Sequence, residues 1–140
     1  MRIYVAGPYQ YKNMIIERAV ELRDAGIEVT SRWLEEPHSP TTQCGDLADE
    51  TFRKYANYDL EDIDRAGTFL LFAVAADATP IPRAGRHVEF GYALARAKRI
   101  VVVGDVKENI FHYLPQVRHF ATFEEALAHL LNKVVEVTGR

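Results

Sequence analysis

The sequence predicts a single-domain, doubly wound α/β fold of about five parallel strands with helices on both faces. Three observations carry that prediction. Residues 68–73 (Thr-Phe-Leu-Leu-Phe-Ala) and 99–104, which contain Ile-Val-Val-Val, are apolar at successive positions, as strands buried on both faces are. Stretches with apolar residues at helical spacing alternate with strand candidates from end to end. At 140 residues, 48% hydrophobic and 26% charged, the chain has the size and composition of one globular domain with a substantial core.

Each element has its own signal. Residues 2–6 read as a buried strand ended by Gly7-Pro8. Residues 11–25 read as a helix, with Met14, Ala19 and Leu22 among its apolar positions, and Gly26 stops it. Residues 27–30 make a short strand. Residues 35–45, with two prolines and no periodicity, make a loop. Residues 46–66 are helical and lead into the strand at 68–73. A loop at 75–84 holds Pro80 and Pro82, and an alanine-rich helix follows at 86–98. The strand at 99–104 is followed by a variable stretch and a short strand near 118–120. Thr122 caps a last helix at 123–137, with Glu125 three residues on as its capping-box partner. Five parallel strands joined by right-handed crossovers suggest the flavodoxin-like order 2-1-3-4-5. Ligands of such sheets bind beyond the carboxyl ends of the strands, which singles out residues 7–9, 31–33, 75–89 and 104–113.

Several function classes are disfavoured. A net charge of −3 argues against a nucleic-acid polymer as partner. The single Cys44 excludes an internal disulfide and fits a reducing, cytoplasmic setting. No Cys/His cluster has metal-ligand spacing, so no metal is expected. The apolar run at 3–6 is too short for a signal peptide or a membrane span. There is no P-loop and no Gly-x-Gly-x-x-Gly. Gly7-Pro8 stands where a response-regulator receiver would carry an acidic pair.

Some residues exceed a structural role. Glu89 falls in the expected first turn of the helix at 86–98, where the helix dipole favours its ionised form. An ionised carboxylate at the lip of a pocket can attack an electron-poor carbon, although acids are also common in first turns. Asp59 falls in the middle of the apolar stripe Phe52, Ala56, Ile63 and Ala66, with Asp62 at its edge and Glu61 and Asp64 towards solvent. A carboxylate facing a core needs partners or work. Asp59 is either a cap on buried backbone amides or an acid facing the ligand crevice. Gly7, Pro8 and Tyr9 end the first strand, where a backbone can approach a ligand closely or simply turn. Arg32 and Trp33 could grip a phosphate and stack a base, or be a surface Arg and a packed Trp. Arg83, Arg86 and His87 crowd the start of the helix at 86–98, a place suited to an anion such as a 5′-phosphate or to a solvated basic turn. His38, His112, His119 and His129 have no partner at catalytic or metal spacing and receive no role.

Taken together, these segments resemble the nucleoside 2-deoxyribosyltransferase family and its nucleotide N-glycosidase relatives. Four segments carry the resemblance, in order along nearly the whole chain: Ile3-Tyr4-Val5-Ala6-Gly7-Pro8; Asp59-Leu60-Glu61-Asp62-Ile63-Asp64-Arg65-Ala66-Gly67 before a hydrophobic strand; Gly85-Arg86-His87-Val88-Glu89-Phe90-Gly91-Tyr92-Ala93-Leu94; and Asn109-Ile110-Phe111. The resemblance implies that Glu89 is the nucleophile and that Asp59 handles protons near the departing base. It implies that Tyr9 lies near the sugar and that Asn109 completes a neighbouring subunit's site, while Gly85, Arg86 and His87 are expected to border the substrate from their place at the helix start. Residues 80–84 lack the acid with which transferases of the family read the base, Asp77 being further back. Residues 137–140 lack the aromatic end of some members.

The chemistry follows two-carboxylate logic. One carboxylate traps C1′ as an ester while a second group supplies the leaving base with a proton. Transfer results when a second base attacks the ester, and hydrolysis when water does. No cofactor is needed. The expectation is a (deoxy)nucleoside or nucleoside 5′-monophosphate substrate with deoxyribosyl transfer to another base. The alternatives are a nucleoside 5′-monophosphate N-glycoside hydrolase or a non-catalytic nucleotide sensor. The clustered Ile110, Phe111 and Tyr113 point to a homodimer or higher oligomer with its sites at the interface.

Overall fold

The computed structural model describes residues 1–37, 45, 47–73 and 84–138. Its five strands are β1 (Arg2–Ala6), β2 (Glu28–Val29), β3 (Thr68–Phe72), β4 (Arg99–Val103) and β5 (Val117–Phe120), in one parallel sheet ordered β2-β1-β3-β4-β5. This is the flavodoxin-like order expected. β3 is buried at every position and β4 at all but its first, because each lies under helices on both faces. The helices are α1 (Lys12–Asp24), α2 (Asp49–Arg65), α3 (Gly85–Ala95) and α4 (Phe123–Thr138). α2 packs on α3. α1 meets the start of α4 through Arg18, which bonds Glu124 at 3.1 Å and lies 4.8 Å over the Phe123 ring.

Local chemistry sets the ends. Pro8, with φ −59°, precedes a 3-10 turn at Tyr9–Tyr11, so α1 begins at Lys12, one residue later than the periodicity suggests. Gly26, with φ +87°, stops α1 as expected. α2 starts at Asp49 rather than at 46, and residue 46 itself lies outside the described residues. The Thr122 hydroxyl caps α4 by accepting from the Glu125 amide at 3.2 Å. The stretch before β5, taken as variable, contains a 3-10 turn at Ile110–Tyr113 whose His112 is fully buried. Its buried side is an unforeseen part of the core.

Gly104 is required where it stands. Its φ is +119°, and a Cβ there would lie 2.3 Å from the Ala73 carbonyl oxygen. Gly7 is required for packing, since a Cβ would meet Ile15 Cδ1 at 2.6 Å. At Gly7 the bare backbone lets α1 close onto the end of the sheet, where the ligand crevice of this fold lies.

Candidate active site

A cleft of about 390 Å³ opens at that end of the sheet. Of the residues singled out from sequence, Gly7, Tyr9, Trp33, Asp59, Gly85, Arg86 and Glu89 line it. Pro8 is buried behind it and caps the 3-10 turn that carries Tyr9. His87 and Asn109 instead border a second groove of about 420 Å³, on the other side of α3.

Glu89 is the fifth residue of α3, because the helix begins at Gly85. The expectation of a first-turn acid ionised by the helix dipole is therefore corrected. One residue further in, the carboxyl of the half-buried Glu89 is turned inward, and burial pushes its pKa up to about 7. Against that push, the Tyr4 hydroxyl donates a hydrogen bond to Glu89 Oε2, which favours the ionised form. Tyr4 is fully buried in β1 and stacks on Phe69 at 5.7 Å. Its phenol is held well above its ordinary pKa by burial and by the nearby carboxyl groups, so it remains a donor.

Asp59 reaches the cleft from α2. The apolar stripe on that helix divides along its length. Phe52, Tyr55, Ala56 and Asp59 line the cleft, whereas Asp62, Ile63 and Ala66 face the core. Asp59 Oδ1 is buried without a hydrogen-bond partner. Burial and then the Glu89 charge raise Asp59 to about 8. Burial raises both carboxyl groups, and the Glu89 charge raises Asp59 further, so the two resist carrying negative charge together.

The task of capping buried backbone, weighed above for Asp59, belongs to Asp62. Asp62 is 0% exposed rather than at the edge of the stripe. Its carboxylate accepts from the Arg32 amide and Nε and from Arg65 Nη2, each at 2.9 Å. This corrects the reading of Arg32 as a phosphate grip. The Arg32 guanidinium is bound to Asp62 and Glu61 and lies 3.9 Å over the Tyr58 ring, outside the cleft lining. Arg32 neutralises a buried carboxylate and fixes the 3-10 turn Arg32–Glu35 against α2. That turn carries Trp33, whose indole Nε1–H donates to the Val5 carbonyl at 2.8 Å and whose ring tilts against Tyr9 at 5.7 Å.

Arg86 lines the cleft, and its charge is matched. Nη2 lies 2.6 Å from Glu108 Oε2 in an ion pair whose side chains are 10% and 6% exposed. His87 Nε2 also approaches Glu108, at 3.4 Å, and its Nδ1 lies 3.3 Å from Asn109 Nδ2. Burial and Arg86 lower the His87 pKa, so a free cationic cluster at this helix start is corrected to a largely compensated one. Arg83, Asp77, Cys44 and His38 lie outside the described residues. Asn109 Oδ1 accepts from the Phe111 amide at 2.9 Å, capping the turn at Ile110–Tyr113.

Sequence reasoning missed Tyr4, Glu36, Phe52 and Tyr55. Phe52 stood in the predicted stripe, so its place on the cleft wall was implicit there. Tyr4 looked like an ordinary strand residue, and only the register of β1 against α3 shows its hydroxyl meeting Glu89. Glu36 lay in what read as a featureless loop. Among the described residues, no group of three or more His, Cys, Asp or Glu is arranged to hold a metal, and no helix is long and apolar enough to cross a membrane.

No protein-family model and no curated protein matches the chain. Among solved structures, it is similar to Clostridium botulinum CMP N-glycosidase, BcmB, with 21% identity, a TM-score of 0.58, and coverage of 93% of this chain and 98% of that one. It is also similar to a conserved protein from Enterococcus faecalis V583, with 17% identity, a TM-score of 0.59, and coverage of 95% and 98%. At these identities the likeness establishes the shared fold over nearly the whole chain.

Proposed function

We propose that this protein breaks the N-glycosidic bond of a nucleoside or nucleoside 5′-monophosphate through a covalent ester on Glu89. The observation that carries the reading is the pairing, in one cleft, of a phenol-anchored carboxylate at Glu89 with a buried carboxyl group at Asp59 whose pKa is raised. As the bond to the base weakens, positive charge grows on the sugar, and Glu89 takes C1′ from one side. Tyr4 engages Oε2 and so favours Oε1 as the attacking atom. The electron pair of the broken bond passes to the base, and Asp59 supplies it with a proton. Water, activated by the resulting Asp59 carboxylate, then releases the sugar and regenerates Glu89. A free base in place of water gives the transfer reaction.

The named activity of the clostridial neighbour, CMP N-glycosidase, agrees with this chemistry and favours a nucleotide and hydrolysis. A non-catalytic sensor is the weaker reading, because binding alone gains nothing from keeping two desolvated carboxyl groups in one cleft. We also propose that a second copy of the chain covers the surface beside α3, where Ile110, Phe111 and Tyr113 are 77%, 53% and 70% exposed.

The test is incubation with each nucleoside and 5′-monophosphate, with and without a free acceptor base, followed by chromatography. Release of free base supports hydrolysis, and an exchanged nucleoside supports transfer. Neither product from any substrate refutes the reading.

A further inference from the structure

We propose that Lys12 is a positioning residue: its buried ammonium ties the turns Tyr9–Tyr11 and Arg32–Glu35 together and so holds Tyr9 and Trp33 where both line the cleft. The kinetic part of the proposal rests on the N-glycosidic reading above. The two turns follow β1 and β2, neighbouring strands at the edge of the sheet. The start of the second turn is pinned to α2 through Arg32 and Asp62, and the Trp33 indole is bonded to Val5 on β1. The far end of that turn, at Glu36, is where Lys12 takes hold.

Lys12 Nζ donates to the Glu36 carbonyl at 2.6 Å and to the Tyr9 hydroxyl at 3.3 Å. The Glu36 amide in turn donates to the Trp33 carbonyl at 3.3 Å, so the tie reaches the backbone of Trp33. The Tyr9 ring tilts against the Trp33 ring with centroids 5.7 Å apart, and Trp33 is only 6% exposed. One cation thus fixes both the ring that leans on the indole and the turn that carries the indole.

Packing alone does not call for a lysine at this position. Lys12 is 5% exposed, and burial pulls its ammonium below its ordinary pKa against the opposing pull of the Glu36 charge. It is also the first residue of α1, at the positive end of the helix dipole, and no acid stands in that first turn. A neutral side chain would fill the place with less strain on the fold. What the ammonium adds is a charged donor shared by two partners, a stronger hold than neutral hydrogen bonds give. Both partners belong to residues of the cleft wall, whereas the reacting carboxyl groups, Asp59 and Glu89, stand on α2 and α3. Lys12 therefore acts on the fit of the substrate rather than on the chemical step.

Lys12→Met keeps an aliphatic stem and removes the ammonium. The substrate must then order Tyr9 and Trp33 itself, so KM for the best-cleaved substrate should rise about tenfold while kcat stays within about threefold. A second readout needs no turnover. Trp33 is the sole tryptophan, and acrylamide should quench its fluorescence more strongly in Lys12→Met than in wild type, because the Tyr9 ring is no longer held against it. A lysine that only supported the fold would change the melting temperature and leave KM and the quenching where they were. If Lys12→Met does not fold, Tyr9→Phe cuts the tie at its other end, and the same rise in KM and in quenching is expected. An unchanged KM, a kcat that falls as far as kcat/KM, or unchanged quenching overturns the proposal. Failure of the N-glycosidic reading looks different: wild type cleaves no nucleoside or nucleotide, and the quenching difference, present or absent, then decides the role of Lys12.

Discussion

Replacing Tyr4 with Phe removes one hydroxyl and tests whether the Tyr4–Glu89 contact sets the charge of the proposed nucleophile. The ring, stacked on Phe69 at 5.7 Å, is kept, so the core loses no volume. Glu89 loses the one hydrogen bond that lowers its pKa against burial. A hydrogen bond to a charged group is worth about 1.5–3 kcal/mol, and one pKa unit corresponds to about 1.4 kcal/mol. Glu89 should therefore move from about 7 to about one or two pH units higher. The sign is fixed by the chemistry: Glu89 must be ionised to attack, so activity falls as pH drops through its pKa. The acidic limb of the kcat/KM profile should shift upward by the same amount, and the ionised fraction at neutrality should fall about 5- to 50-fold. The assay is release of free base from the best nucleotide substrate across a pH series, with thermal melts confirming the fold. Alkaline conditions should restore part of the rate until Asp59, titrating at about 8, loses its proton. An acidic limb that does not move in Tyr4→Phe would refute the claim that this phenol governs Glu89.

Glu89→Gln should fold, since its amide oxygen can still accept from Tyr4, and should lose several orders of magnitude in turnover. Intact-mass spectrometry with a 2-fluoro-2-deoxynucleoside should show a sugar adduct on wild type only. Asp59 and Glu89 are raised from 3.8 and 4.5 to about 8 and 7, so the stability they contribute is full at low pH and lost as pH rises through those values. Asp59→Asn should accordingly raise the melting temperature more at pH 8 than at pH 5, while slowing base release. Gly104→Ala combines a positive φ with a clash against the Ala73 carbonyl, so it should cost several kcal/mol, on the order of 3, read by chemical denaturation. If Asn109 completes a partner's site, mixing inactive Glu89→Ala and Asn109→Ala chains should restore part of the activity. A monomer by light scattering, or no recovery after confirmed subunit exchange, would exclude that arrangement.

The sheet order could be read from the sequence because β3 and β4 are apolar on both faces, and only a central parallel strand uses such a run. The short elements were harder. β2 has only two ladder residues, and the turn at Ile110–Tyr113 is held by an Asn109 cap that no periodicity announces. The wheel of α2 placed Asp59 inward, but it could not show that the stripe changes surroundings along its length. That change exchanged the roles of Asp59 and Asp62. The two readings of Arg32, phosphate grip or surface arginine, stayed open for a related reason. A cation beside a crevice looks free in a sequence, and its partners, Asp62 and Glu61, lie about thirty residues away on another element. Long-range ion pairs leave no local pattern, so the charge of a site is harder to read from sequence than its shape.

That asymmetry sharpens the functional argument. Three cations near the cleft are committed: Arg32 to Asp62, Arg86 to Glu108, and the Lys12 ammonium to the Glu36 carbonyl and the Tyr9 hydroxyl. The acids that line the cleft, Asp59, Glu89 and Glu36, all have raised pKa values. A site evolved only to hold an anion would show the reverse pattern, with free cations and paired acids. Desolvated carboxyl groups cost stability wherever they are kept ionised. Apolar side chains would fill the same positions on α2 and α3 at lower cost, since the flanking residues Phe52, Ala56 and Phe90 are already apolar. Retaining three such groups in one aromatic-walled cleft makes sense when the ligand develops positive charge and needs a proton during its stay. Cleavage of an N-glycosidic bond makes both demands.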